Sequence, residues 1–117
     1  MAYTIEGQGN LNRALEFYEE LANDKQLFKI DTKLYVIAIG NAARLKFAIN
    51  PEYAQESKDI LFNAIRISDS LGDTINEMGY YGFLANIYNK TAIRDSAIFY
   101  SKRLLEFARI TNSNRER

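Results

Sequence analysis

The sequence predicts an all-α protein of five helices joined by short turns, and three observations carry that prediction. Apolar residues recur at spacings of three and four along most of the chain. Only six glycines and one proline occur in 117 residues, about half the usual combined share, so few turns demand special backbone angles. Hydrophobic residues make up 47% and charged residues 26%, which supplies a core for one domain over residues 1–117.

The first helix is expected from about Asn10 to Ala22, after a lead-in over residues 1–9. Leu11, Ala14, Leu15, Tyr18 and Leu21 form its apolar face, Asn10 is a suitable N-cap, and Asn23-Asp24 is the stop. The second spans roughly Asp31 to Phe47. Its run Leu34-Tyr35-Val36-Ile37-Ala38-Ile39 has no clear period, but no second strand exists to pair with it, so a helix buried on most sides is expected. In the third, Asn50 caps, Pro51 takes the first helical position and Glu52 follows in the first turn. Ile60, Leu61, Ala64, Ile65 and Ile67 supply its apolar face, and Gly72 is the C-cap glycine. The fourth begins at a capping box, Thr74-Ile75-Asn76-Glu77, and continues through Tyr81, Leu84, Ala85 and Tyr88. Lys90 to Ile93 make the turn, the fifth helix runs from about Asp95 to Ile110, and residues 112–117 form a polar tail.

Charge is balanced in total and uneven in place. From Lys90 to Arg117 seven basic residues face three acidic ones, a surplus of +4, so the first 89 residues carry −4. Such asymmetry steers an acidic partner or the opposite end of another copy. The longest apolar run, Leu34 to Ile39, is far short of the roughly 20 residues that span a bilayer. The start carries neither a basic segment nor an apolar one of the secretory kind, so a cytoplasmic protein is expected.

Cysteine and histidine are absent. That excludes disulfide frameworks, thiol nucleophiles, imidazole bases and zinc sites built on either residue. Glu16 with Glu20, and Glu52 with Glu56, sit at helical spacing on polar faces, where solvation rather than acid-base chemistry accounts for them. Gly7-Gln8-Gly9 lacks the third glycine and the lysine of a phosphate loop. No catalytic residue, metal site or cofactor is expected. Tyr100-Ser101-Lys102-Arg103 is the one stretch that resembles a base-stacking surface, and it makes nucleic acid the lesser alternative to a protein partner.

Internal similarity runs through the chain. Gly9-Asn10-Leu11-Asn12-Arg13-Ala14 aligns with Ala92-Ile93-Arg94-Asp95-Ser96-Ala97, and Gly40-Asn41-Ala42-Ala43 with Ala85-Asn86-Ile87-Tyr88. Tyr81-x-x-Leu84-Ala85-x-x-Tyr88 followed by Ala97 and Leu104 resembles the tetratricopeptide repeat family, and Ala64 to Asp73 looks like the linker of its longer variety. Ala92 stands where the family has a turn glycine, Ser101 where it has an aromatic, and Leu104 where it has an alanine.

The resemblance implies a helix-turn-helix solenoid of about two and a half units, of the sort found in bacterial signalling proteins. It also implies a concave surface lined by the first helix of each unit. On that surface would lie Asn41 and Arg44, then Gly79, Gly82, Asn86, Asn89 and Lys90. Asparagine amides donate to and accept from a peptide backbone together, which suits sequence-tolerant capture. Leu34, Ile37, Gly79 and Gly82 replace the basic residues with which some members clamp a terminal carboxylate. The expected function is a non-catalytic protein-interaction module, and the alternative is an accessory piece of a larger signalling or defence assembly. Leu11, Leu15, Phe17 and Leu21 at one end, and Leu104, Leu105 and Phe107 at the other, are the expected interface for a protein partner or a second copy.

Overall fold

The computed structural model describes the backbone of residues 2–116 and the side chains of residues 9–110. Over these residues the protein is helical, with no strand: α1 Ala2–Asn23, α2 Leu27–Ile30, α3 Thr32–Ile49, a 3-10 turn Pro51–Tyr53, α4 Ala54–Leu71, α5 Thr74–Lys90 and α6 Arg94–Glu116. None of these helices is long and apolar enough to cross a membrane. The chain forms two compact units, Met1–Ala64 and Ile65–Arg117, and α4 runs across the division.

In the first unit α1 and the short α2 pack on α3. The apolar run that left its own period open is helical. Val36, Ala38, Ile39, Gly40, Ala42, Ala43, Leu45 and Phe47 are buried. At 100° per residue these cover roughly 220° of the helix circumference, which explains why no amphipathic stripe shows in the sequence. The Asp31 carboxylate caps α3 by accepting from the Leu34 amide at 3.0 Å. Asn50 does the same for the turn at Pro51, accepting from the Glu52 amide at 3.0 Å.

Four local expectations are corrected. Asn10 is not a cap, because α1 already runs through it from Ala2; Gly7 and Gly9 weaken that stretch by about 1 kcal/mol each without stopping it. The five expected helices omit α2, a single turn too short to carry a period. It is set by the Asp24 carboxylate, which accepts from the Gln26 amide at 3.0 Å, and anchored by buried Leu27. The cap of α5 is Asp73, not Thr74: its carboxylate accepts from the Asn76 amide at 3.3 Å and from the Asn76 side chain at 2.6 Å. Finally, α6 continues as helix through the expected tail to Glu116.

The second unit consists of the end of α4 and the antiparallel α5–α6 hairpin. Glu77, Tyr80, Leu84 and Ile87, at spacings of three and four, form the buried stripe of α5. Both turns of this unit close in the same way. At Gly72 the Asp73 amide reaches the Ser68 carbonyl at 2.9 Å and the Gly72 amide reaches Asp69 at 3.1 Å. At Ala92 the Ile93 amide reaches Tyr88 at 2.9 Å and the Ala92 amide reaches Asn89 at 3.3 Å. Each is a Schellman closure, which places one residue in the left-handed region. Gly72 sits there at φ +69°, and so does Ala92, at φ +61°.

Alanine in that region costs roughly 1–2 kcal/mol, part of which glycine returns as chain entropy in the unfolded state. Ala92→Gly is therefore expected to stabilise the protein by about 0.5–1 kcal/mol, read as a higher urea midpoint. A lower midpoint would show that the methyl group makes a contact worth more than the strain.

Candidate interaction surface

The hairpin holds α6 in a fixed rotation through a ladder of aromatic rings. Tyr81 and Tyr88 are seven residues apart on α5, and Tyr100 and Phe107 seven apart on α6. In an antiparallel pair each couple meets the other in reverse order. Tyr88 stacks on Tyr100 at 5.4 Å with ring planes 3° apart, Tyr100 on Tyr81 at 5.7 Å, and Tyr81 on Phe107 at 5.6 Å. These separations lie in the range where offset stacking is favourable. Burial pushes the Tyr100 phenol above its ordinary pKa, and the neighbouring Tyr88 and Tyr81 add to the shift.

Ala97 is buried and Leu104 half-buried on the same side of α6, with the Leu104 Cδ2 3.6 Å from where a Cβ on Gly82 would stand. Gly82 thus faces α6, whereas a Cβ on Gly79 would meet nothing within 4 Å.

With that side committed to α5, the opposite side of α6 is presented outward. Arg94, Ile98, Lys102, Leu105 and Arg109 follow one another at spacings of four, four, three and four, and all are exposed. Ile98 is 52% and Leu105 63% exposed, so two large apolar side chains lie in solvent between three cations. The stripe is about 22 Å long at 1.5 Å per residue. Arg103 lies off it: its guanidinium sits 5.9 Å over the Tyr81 ring and pairs with Glu106 at 3.3 Å.

The residues expected at the interface are placed differently from one another. Phe17 and Leu105 are exposed, while Leu11, Leu15, Leu21, Leu104 and Phe107 are half-buried. Phe107 ends the aromatic ladder, so its packing is with α5. Among the expected groove residues, Asn41 is occupied locally. Its amide donates to the Ile37 carbonyl at 2.9 Å, and its oxygen accepts from Arg44 at 3.3 Å. Asn86, Asn89 and Lys90 are exposed on α5. Ile98 was not among the residues singled out from sequence, although its spacing from Leu105 and the flanking cations was there to be read.

No family model matches the chain, and no match is found among curated proteins or solved structures.

Proposed function

We propose that the protein is a non-catalytic, repeat-type interaction module that docks an acidic amphipathic helix of another protein on the outer face of α6. The observation that carries this is the alternation of Arg94, Lys102 and Arg109 with exposed Ile98 and Leu105. A helix with apolar and acidic residues at matching spacing covers the two apolar side chains and faces each cation with a carboxylate. Burying each apolar side chain is worth roughly 1.5–3 kcal/mol before the costs of association, and the charges add orientation and encounter rate.

The repeat reading, a tetratricopeptide-like solenoid, rests on sequence positions with matching environments. Gly40 and Ala85, aligned as the small residue of successive units, are both buried. Asn86, Asn89 and Lys90 on α5 extend the surface available to a partner. The alternative reading is an accessory piece of a larger signalling or defence assembly whose activity lies in another protein. The start of the sequence, without a basic or an apolar segment of the secretory kind, favours the cytoplasm for either.

The same basic stripe bears on the nucleic-acid reading. That reading needs Tyr100 to receive a base, but its ring is already stacked on Tyr88 and Tyr81.

The test is fluorescence anisotropy with a synthetic helical peptide of about four turns, bearing leucine and glutamate along one face, against its lysine counterpart and single-stranded DNA. The glutamate peptide is expected to bind, and the lysine peptide and DNA not to bind at physiological salt. Leu105→Asp, a surface change that leaves folding within about 0.5 kcal/mol, is expected to weaken the glutamate peptide at least about tenfold. Equal binding of both peptides would refute the proposal. So would DNA binding with a steep salt slope, or self-association in sedimentation that Leu105→Asp abolishes, which would make a second copy the occupant.

A further inference from the structure

The first unit contains a cavity of about 270 Å³ that opens between the last turns of α1, one face of α3, and α4. Its lining combines apolar Ala22 and Ile39 with polar Glu19, Asn23, Lys46 and Asn63. Pockets that take drug-sized ligands run from roughly 300 Å³ upward, so this one suits a smaller molecule.

Two unlike charges share that lining. The Lys46 ammonium donates to Glu56 at 3.0 Å and lies 5.6 Å from the centre of the Tyr53 ring. An ammonium has three N–H groups, so this fixes its position and leaves donors for a ligand. The hydrogen bond to Glu56 is the main cause of the raised Lys46 pKa; burial acts in the opposite direction, and Glu19 adds a further attraction. Glu19 and Lys46 are therefore close enough to feel one another. Glu19 also lies one turn before α1 ends at Asn23, where the last carbonyls carry the negative end of the helix dipole.

We infer that this cavity is a binding site for a small zwitterion, a free α-amino acid with an aliphatic side chain. The ammonium goes to Glu19 and the end of α1, the carboxylate to the remaining N–H groups of Lys46, and the side chain to Ala22 and Ile39. An α-amino acid carries an ammonium and a carboxylate on one small molecule, and Glu19 and Lys46 bring a charge of each opposite sign to one small cavity. A ligand with an ammonium alone leaves unused the Lys46 donors that Glu56 does not take, and a ligand with a carboxylate alone gains nothing from Glu19. The site lies apart from the α6 stripe in sequence and chemistry, so its failure leaves the docking proposal standing.

Titration calorimetry of the whole protein with leucine, with isopentylamine and with 4-methylpentanoate tests this. Leucine is expected to bind saturably at least about tenfold more tightly than either singly charged analogue, since each analogue forfeits one charge-assisted hydrogen bond. Ala22→Leu, which fills part of the cavity from a half-buried position, is expected to abolish binding. Glu19→Gln is expected to weaken leucine about tenfold without weakening 4-methylpentanoate, with helical content by circular dichroism unaltered in both variants. The inference is overturned if leucine fails to saturate at millimolar concentration, if the three ligands bind alike, or if binding survives Ala22→Leu.

Discussion

Leu84→Ala is expected to lower the unfolding free energy by roughly 2–5 kcal/mol, the range for deleting a fully buried leucine side chain. Leu84 is 0% exposed at the middle of α5, between Tyr80 and Ile87 on the buried stripe. The loss has two parts: the transfer free energy of the deleted carbons, and the cavity left where the neighbours only partly relax. Its size is a large fraction of the 5–15 kcal/mol that a domain typically has. Leu84→Met keeps the volume and is expected to cost less than about 1.5 kcal/mol. Leu105→Ala, at a side chain 63% exposed, is expected to change stability by less than about 0.5 kcal/mol. Urea unfolding with an unchanged slope separates the three. A Leu84→Ala loss no larger than that of Leu105→Ala would mean that the α5 stripe is not a core.

The contrast between these leucines shows how much of the structure was legible in the sequence. Spacing alone places Leu84 on an inner stripe, because Leu84, Ala85 and Tyr88 recur at helical intervals. It does not rank Leu104 against Leu105, adjacent residues of one type. The rotation of α6 decides between them, and the Tyr81, Tyr88, Tyr100 and Phe107 ladder sets that rotation. Elements long enough to show a period were readable: α3, α4, α5 and α6 begin within three residues of where spacing and caps put them, although α6 ends six residues beyond. The single turn α2 and the choice of Asp73 over Thr74 as a cap were not, since each depends on one local hydrogen bond for which several nearby residues compete.

The candidate sites divide along the same line. The basic surplus toward the C-terminus was visible as composition, and its spacing with Ile98 and Leu105 was readable too. That these two apolar side chains stay in solvent follows only when the other side of α6 is taken up by α5. The cavity was not legible. Glu19, Asn23, Lys46 and Asn63 come from three helices and carry no shared motif. Asn41 shows the converse: a residue suited to capturing a peptide backbone is engaged by its own helix and by Arg44.

Tyr100→Ala is expected to cost about 2–4 kcal/mol, and Tyr100→Phe less than about 1 kcal/mol. Tyr100 occupies an inner position of the ladder, stacked on Tyr88 at 5.4 Å and on Tyr81 at 5.7 Å. Each stacked pair is worth roughly 0.5–1.5 kcal/mol beyond its buried area, so alanine forfeits two such terms together with the area itself. Phenylalanine keeps both stacks and loses only the hydroxyl. A double-mutant cycle between positions 88 and 100 is expected to return about 0.5–1.5 kcal/mol of coupling.

The phenol supplies an independent readout. Burial raises the Tyr100 pKa above its unfolded value, and burial, aided by nearby Asp73, pushes that of Tyr80 up to about 12. A phenol raised in this way contributes stability that is fully present below about pH 10, the unfolded value. That contribution is lost as pH climbs through the folded pKa, because the phenolate must be buried among rings. Tyr100→Phe and Tyr80→Phe are each expected to flatten the alkaline fall in stability, Tyr80→Phe the more because its shift is the larger. If Tyr100→Phe costs as much as Tyr100→Ala, the hydroxyl rather than the stack holds α6 in place, and the outward face of Arg94, Ile98, Lys102, Leu105 and Arg109 then depends on a hydrogen bond instead of on the ladder.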